Sequence, residues 1–506
     1  MSRNLTLKPI LTYILALLVT AGICAQDFHV ADYNIKNDGV TKNTEALQSM
    51  IDSVSNNGGG RIIFSKGTYL TGSFNLKSNV ELHLAKDAVL LGSTDFNDHK
   101  VLERSYQRGL ILSSYQDNIS ITGEGTIDGQ GRAAALHVDS LYHNGHDDKI
   151  KYNHVENRPR FHMRPMIISF VGCTNVLVEG VTLKDAASWV QHYDRCRKLR
   201  IKDIKVVSDA YWNNDGIDIS DCYNVQVLNC DINSSDDGIC LKSHFEDEIL
   251  DSVYIANCRV RSSASAVKFG TKSLGGFKNV IIKNIEVYDT YRSAIAIESV
   301  DGGVLENIVI DGIKATNTGN AIFIKLGDRE PDKGKSTLKN AILKNIDVDV
   351  AFERPDYKYD LRGPALPFFH NIFPASITGM PGHNVENVIL ENITISYPGR
   401  GNKALAYSPL ERLDDVPESA SDYPEFSMFG ELPSWAFYVR HVDGLIMQNI
   451  NLQLREKDYR PAFVFDDVQN LMLHQVSIKG YVKKNEVVMK AVEGVQYDEE
   501  FSVLKM

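Results

Sequence analysis

Among the seven cysteines of this 506-residue chain there is no CxxC pair, so a zinc cluster is not expected. Basic residues are not in excess either. Lys and Arg number 54 against 65 Asp and Glu, a net charge of −11, which leaves no basic face for nucleic acid. Only one long apolar run is present, from Ile10 to Ile23; it is short for a membrane span, and no second candidate follows it. Helical periodicity is missing between the recurring segments described below, which disfavours leucine-rich and ankyrin-type arrays. What remains is a soluble composition, 43% apolar and 24% charged, on a chain longer than one compact core holds, so several domains or a solenoid are the default expectations.

The N-terminus reads as a targeting segment. Arg3 and Lys8 precede the apolar run, and "ICA" then leads into the polar "QDF". This is the pattern of a secretory signal peptide over residues 1–25, cleaved after Ala25, and it places the mature protein in the periplasm or outside the cell. Ile23 stands where a lipoprotein carries a small residue, so Cys24 is not read as a lipid anchor. Export permits disulfides, yet the remaining cysteines recur in phase with the repeat. Cys173, Cys196 and Cys222 share one position and Cys230 and Cys258 another, which points to internal apolar stacks instead.

The repeat is the strongest organisational signal. "TNVLVEGVTL" from Thr174, "YNVQVLNCDI" from Tyr223, "DSVYIANCRV" from Asp251 and "KNVIIKNIEV" from Lys278 are successive versions of one unit, and further copies run to "DGLIMQNINL" from Asp443. Each is an alternating strand, a turn at Asn or Gly, and another strand. Such a unit cannot bury its apolar face alone, whereas stacked copies share one core. Propeller blades need about 40 residues each. The expected fold is therefore all-β, a right-handed parallel β-helix with one repeat per coil. Asn229, Asn257, Asn284, Asn345, Asn392 and Asn449 share a repeat position and should stack as a ladder of buried turn amides.

One domain is expected over residues 26–506. Its opening segment, 27–96, contains a capping helix with Leu47, Met50, Ile51 and Val54 on one face, Asn43 or Thr44 as cap and Gly58 to Gly60 as stop. Core coils follow over 97–350, coils with long insertions over 351–441, and C-terminal coils over 442–506. The excursions at 351–384 and 398–441 carry Arg354, Tyr357, Tyr359, Arg362, Phe368, Phe369, His370 and Trp435, a mix suited to sugar rings and anionic groups. If they cross one end of a cleft, the chain acts on the ends of a polymer.

Two acidic motifs stand out from the repeat, "NNDGIDIS" at 213–220 and "SSDDGICLK" at 234–242. Their spacing is about one coil, which puts Asp215 on the rung next to Asp236 and Asp237. Carboxylates held that close drive their pKa values apart. One protonated acid and one ionised base suit glycoside hydrolysis. A cation site and plain Asp-Gly turn chemistry are the alternatives at this stage.

The stretch "NNDGIDISDCYNVQVLNCDINSSDDGICLKS" resembles the signature of glycoside hydrolase family 28, the polygalacturonase family, and "GEGTIDGQG" and "SWVQHYDRC" are similar to other family segments. The resemblance runs from about residue 30 to at least 345. It implies a secreted β-helix enzyme that hydrolyses pectic polysaccharide with inversion, needs no metal or cofactor, and here acts as a monomer on a carbohydrate. Carried over, Asp236 is the general acid, Asp215 and Asp237 orient and deprotonate water, Asn213 supports them, Gly216 and Gly238 are backbone hinges, and Lys242 points near the cleft. Three departures accompany the match: Ser265 stands where the family has His, and Ala296 and Glu298 replace its Arg and Lys. Lys325 falls one coil too late to restore them. Lys268, or Arg158, Arg160 and Arg164 in "NRPRFHMRP", are the candidate substitutes for gripping substrate. The competing readings are a β-helix polysaccharide lyase, which needs a Lys or Arg base, and a non-catalytic glycan-binding β-helix.

Overall fold

The period-2 alternation of the repeats is realised as strands stacked in parallel, one coil upon the next. Val225, Val253, Val280 and Ile308 occupy successive rungs of one wall, each buried, while the residues between them turn outward. The result is a right-handed parallel β-helix whose apolar core runs without interruption from Val30 to Met489. The computed structural model describes residues 26–102, 107–146, 150–357, 359, 373–403, 409–480, 486–498 and 501–506; residues 1–25, where a signal peptide is expected, and Arg362, Phe368, Phe369 and His370 lie outside them.

Helix α1, Thr44–Asn56, covers the first coils with Leu47, Met50, Ile51 and Val54, the four residues expected. Asn43 is its N-cap residue, but the side chain does not cap the helix. It accepts from the Lys36 amide and donates to the Lys36 carbonyl, both at 2.8 Å, tying the incoming chain to itself.

The ladder forms in two runs, Asn229–Asn257–Asn284 and Asn345–Asn392–Asn449, parted by a coil where Gly312 takes the position and Asn345 donates to Asp311 instead; it also sits elsewhere than expected. Asn257 Nδ2 donates to Asn229 Oδ1 at 3.2 Å and Asn284 Nδ2 to Asn257 Oδ1 at 3.2 Å, but the side chains are exposed, not buried. The reason is conformational: φ is 55°, 56° and 52° at these three positions, a left-handed turn that Asn tolerates better than other side chains, so the amides sit on the outer corner. A second ladder that the sequence reading missed links Asn279, Asn307, Asn340 and Asn387. All six cysteines of the described residues are free and buried.

Ladder bonds also measure the coils. Adjacent asparagines are 28 and 27 residues apart at Asn229–Asn257–Asn284 but 47 apart at Asn340–Asn387 and 57 at Asn392–Asn449, where the two excursions leave the wall. A third excursion was not foreseen. Between the strands Thr126–Asp128 and Met166–Val171, the chain forms helix α2, Gly131–His143, and a short hairpin pairing Tyr152–Asn153 with Arg158–Pro159. Ala134 and Ala135 of α2 pack on Ala187 and Tyr211, and Gly131 is pressed so close to the Ala186 carbonyl that a Cβ there would lie 2.0 Å from it.

Candidate active site

The strands Ile217–Ser220 and Ile239–Ser243 are neighbouring rungs, with Ile217 opposite Ile239 and Asp218 opposite Cys240. At their N-terminal ends the Gly216 amide donates to the Asp237 carbonyl at 2.8 Å, so Asp215 lies level with Asp237, and Asp236 is one position further round the turn. The two glycines are not hinges in a left-handed conformation. A Cβ on Gly216 would meet the Gly238 carbonyl oxygen at 2.6 Å, and one on Gly238 would meet Val260 Cγ1 at 2.4 Å. They let the two acid-bearing turns approach.

The three aspartates are brought together but live in different surroundings. Asp215 and Asp237 are 4% and 3% exposed, whereas Asp236 is half-buried and reaches outward. Asp237 accepts from the Ser265 amide at 3.1 Å and from Lys268 Nζ at 3.1 Å. Burial alone would raise its pKa; Lys268, Lys242 and Arg292 outweigh that and hold it below the usual carboxylate range. Among the described residues, Asp236 has no ion pair in contact. It accepts from its neighbour's amide at 2.9 Å and from Asn213 Nδ2 at 3.4 Å, and burial and the charge of Asp237 raise its pKa. Asp215 is raised further, first by burial and then by Asp218 and Asp236, although Lys242 Nζ lies 3.3 Å away. The cluster therefore sets Asp237, held ionised, beside Asp236 and Asp215, whose pKa values are raised.

Lys242 turns inward. Its ammonium meets Asp218 at 2.7 Å and the Cys240 sulfur at 2.7 Å as well as Asp215, and it lies 4.8 Å from the Trp189 ring centre. Lys268 is 1% exposed, lies between Asp237 and Glu298 (3.9 Å), and donates to Tyr423 Oη at 3.2 Å. Burial disfavours both charges, but the surrounding carboxylates more than offset it and keep both amines protonated. Asp215, Asp237 and Cys240 offer ligand atoms within 4.8 Å of one another; the two ammoniums already neutralise that patch and oppose a divalent cation there.

Of the other expected site residues, Ser265 contributes its backbone amide. Ala296 is opposite Lys268, and Glu298 is opposite Lys325, one coil on. Glu298 is pushed up to about 7 by burial. Lys325 bonds the Glu418 carbonyl at 2.7 Å, away from the acids. Arg164 is buried and donates to Asn213 Oδ1 at 2.7 Å and to the Trp212 carbonyl at 2.6 Å, so it supports Asn213. Arg158 pairs with Glu156 at 2.8 Å and lies 4.7 Å above the Trp212 ring, while Arg160 is exposed.

The insertions close on the acids from two sides. The α2 segment reaches Asn213 through Arg164. From the other side Tyr359 donates to the Ser234 carbonyl at 2.6 Å, Ser263 bonds Asp356, Tyr423 meets Lys268, and Glu425 pairs with Arg292 at 3.2 Å. Trp435 is not available to stack on sugar: it is 4% exposed and packs edge-on against Tyr397 in the core. Tyr359 is likewise buried, and Arg354 is paired with Asp356 at 2.9 Å. Sequence reasoning missed Asp218, Arg292, Tyr423 and Glu425. Asp218 alone carried a signal, an acid at an inward strand position of "GIDIS".

These features define a parallel β-helix with a carboxylate cluster set between insertions. The model of glycosyl hydrolases family 28 matches residues 59–354, more than half of the chain, and the chain belongs to that family. It is 28% identical over 320 residues to "Probable polygalacturonase" of Vitis vinifera, covering 60% of this chain and 57% of that protein. It is 22% identical over 374 residues to the exo-poly-alpha-D-galacturonosidase of Dickeya chrysanthemi, covering 63% and 62%. The chain thus spans less than two thirds of either relative. The solved structure of a hyperthermoactive exopolygalacturonase from Thermotoga maritima superposes with a TM-score of 0.63 at 20% identity, covering 84% of this chain and 91% of that one, a likeness of fold.

Proposed function

We propose that this protein is an exported, inverting, exo-acting glycoside hydrolase of pectic oligosaccharides, with residues 26–506 as one catalytic domain. The observation that supports the reading is the unequal pair at the turn: Asp236 half-buried with no cation of the described residues in contact, and Asp237 ionised against Lys268 at 3.1 Å. Asp236 gives its proton to the glycosidic oxygen as that bond breaks. A water held between Asp215 and Asp237 attacks the anomeric carbon from the opposite side, Asp237 takes its proton, and the configuration inverts. Lys242 and Arg164 act behind this group, positioning Asp215 and Asn213.

The exo reading is supported by the insertions that reach the acids on both sides, through Arg164 on one and Tyr423 and Glu425 on the other. A lyase would require a neutral amine base, and Lys242 and Lys268 are held protonated by carboxylates. The proposal is tested by chromatography and proton NMR of products from pectic oligosaccharides. Single sugars released with inverted anomeric configuration are expected, with weak action on long polygalacturonan. A rapid fall in polygalacturonan viscosity with mid-sized products contradicts exo action, and retained configuration contradicts the mechanism.

A further inference from the structure

We propose that the sugar unit seated on the side of Tyr423 and Glu425 is uncharged, a neutral hexose or 6-deoxyhexose and not a uronate. The inference rests on the hydrolase reading above and names the substrate class of that same site. On this side of the acids, Lys268 and Arg292 each already face a carboxylate. Lys268 lies between Asp237 at 3.1 Å and Glu298 at 3.9 Å and beneath Tyr423. Arg292 pairs with Glu425 at 3.2 Å. On the rung next to Lys268, Ala296 adds no charge, and Glu298 two residues on is a second carboxyl near the ammonium.

A uronate entering here would lose its hydration and find Lys268 and Arg292 already engaged by carboxylates. It would have to displace Glu298 or Glu425 from its partner. A neutral ring makes no such demand. The Arg292 Nε, a buried donor without a hydrogen-bond partner, suits a hydroxyl or ring oxygen. Arg160, exposed in the segment that follows α2, is the candidate partner for an acidic neighbouring sugar.

The test uses trisaccharides that differ in one terminal unit: galacturonate, the same sugar with its carboxylate reduced to a primary alcohol, and a 6-deoxyhexose. Two series place that unit at the non-reducing or the reducing end. In one series, release of the neutral terminal sugars should exceed that of galacturonate by at least about tenfold in kcat/KM, the scale on which a mismatched pocket discriminates. Glu298→Gln, which leaves Lys268 with Asp237 alone, should raise the galacturonate-to-neutral ratio by about tenfold, and Glu425→Gln, which removes the carboxylate from Arg292, should move it the same way. Faster release of galacturonate than of either neutral sugar in both series overturns the proposal, as does a ratio unmoved in both variants. Cleavage of no trisaccharide in either series overturns the hydrolase reading beneath it.

Discussion

The same coils carry two stacked turns that solve opposite problems. At Asn229, Asn257 and Asn284 one residue type is repeated, and each amide bonds the next, so every rung satisfies its neighbour. At Asp215, Asp237 and Ser265 the rungs carry unlike residues, and each acid needs a partner brought from elsewhere: Lys242 and Lys268 from the following strands, Asn213 from the turn before. The first turn is a repeating solution to stacking. The second breaks the repeat to create carboxylates that titrate apart, and the fold tolerates this because buried ammoniums compensate them.

Breaking the second turn should have the largest effect. Asp236→Asn and Asp237→Asn each should lower turnover by about 100-fold or more, at the scale of losing a general acid or base, with the fold intact by circular dichroism. Near wild-type rates in both would remove the acids from the mechanism.

Lys268→Met sharpens the comparison by removing a compensating charge. The Asp237 pKa is held down chiefly by that ammonium, so its loss raises it. Activity, which falls as pH drops through the pKa of the base, should then be lost at higher pH than in the wild type. Since a buried carboxylate is left unpaired, a stability loss of about 3–5 kcal/mol accompanies the change. An unmoved acid limb in the rate profile would show that Lys268 does not set the ionisation of Asp237.

The ladder should respond least. Asn257→Leu puts a branched side chain at φ 56° and removes two amide bonds, for about 1–2 kcal/mol by chemical denaturation. Asn257→Gly accepts the same φ and should cost less than Leu. Equal stability of Asn257→Leu and wild type would show that the ladder is ornament rather than support.

How much was legible follows from the same contrast. Strand repeats, the apolar face of α1 and the levelling of Asp215 with Asp237 are set by local alternation and by spacing within one coil, which sequence displays. Helix α2 was not read because it lies in an insertion, outside the repeat frame, and packs through small residues, Ala134 and Ala135, that make a faint apolar stripe. The partners of the acids are harder still. Tyr423 is 155 residues from the lysine it covers, and no periodicity links them. Trp435 was expected at the sugar because aromatic residues in a long insertion look exposed; in the fold it fills the core beside Tyr397 instead.

The unequal ionisation of Asp236 and Asp237 is the centre of this account, and the pH dependence of kcat/KM on a cleaved pectic oligosaccharide tests it most directly. Activity requires Asp237 ionised and Asp236 protonated, so it rises as pH climbs through the depressed pKa of the first and falls through the raised pKa of the second, with apparent values that belong to the coupled cluster. The wild type should give a bell, and the residual activity of Asp236→Asn should keep the low-pH limb while losing the high-pH one. A variant profile that retains both limbs would contradict the assignment of Asp236 as the acid.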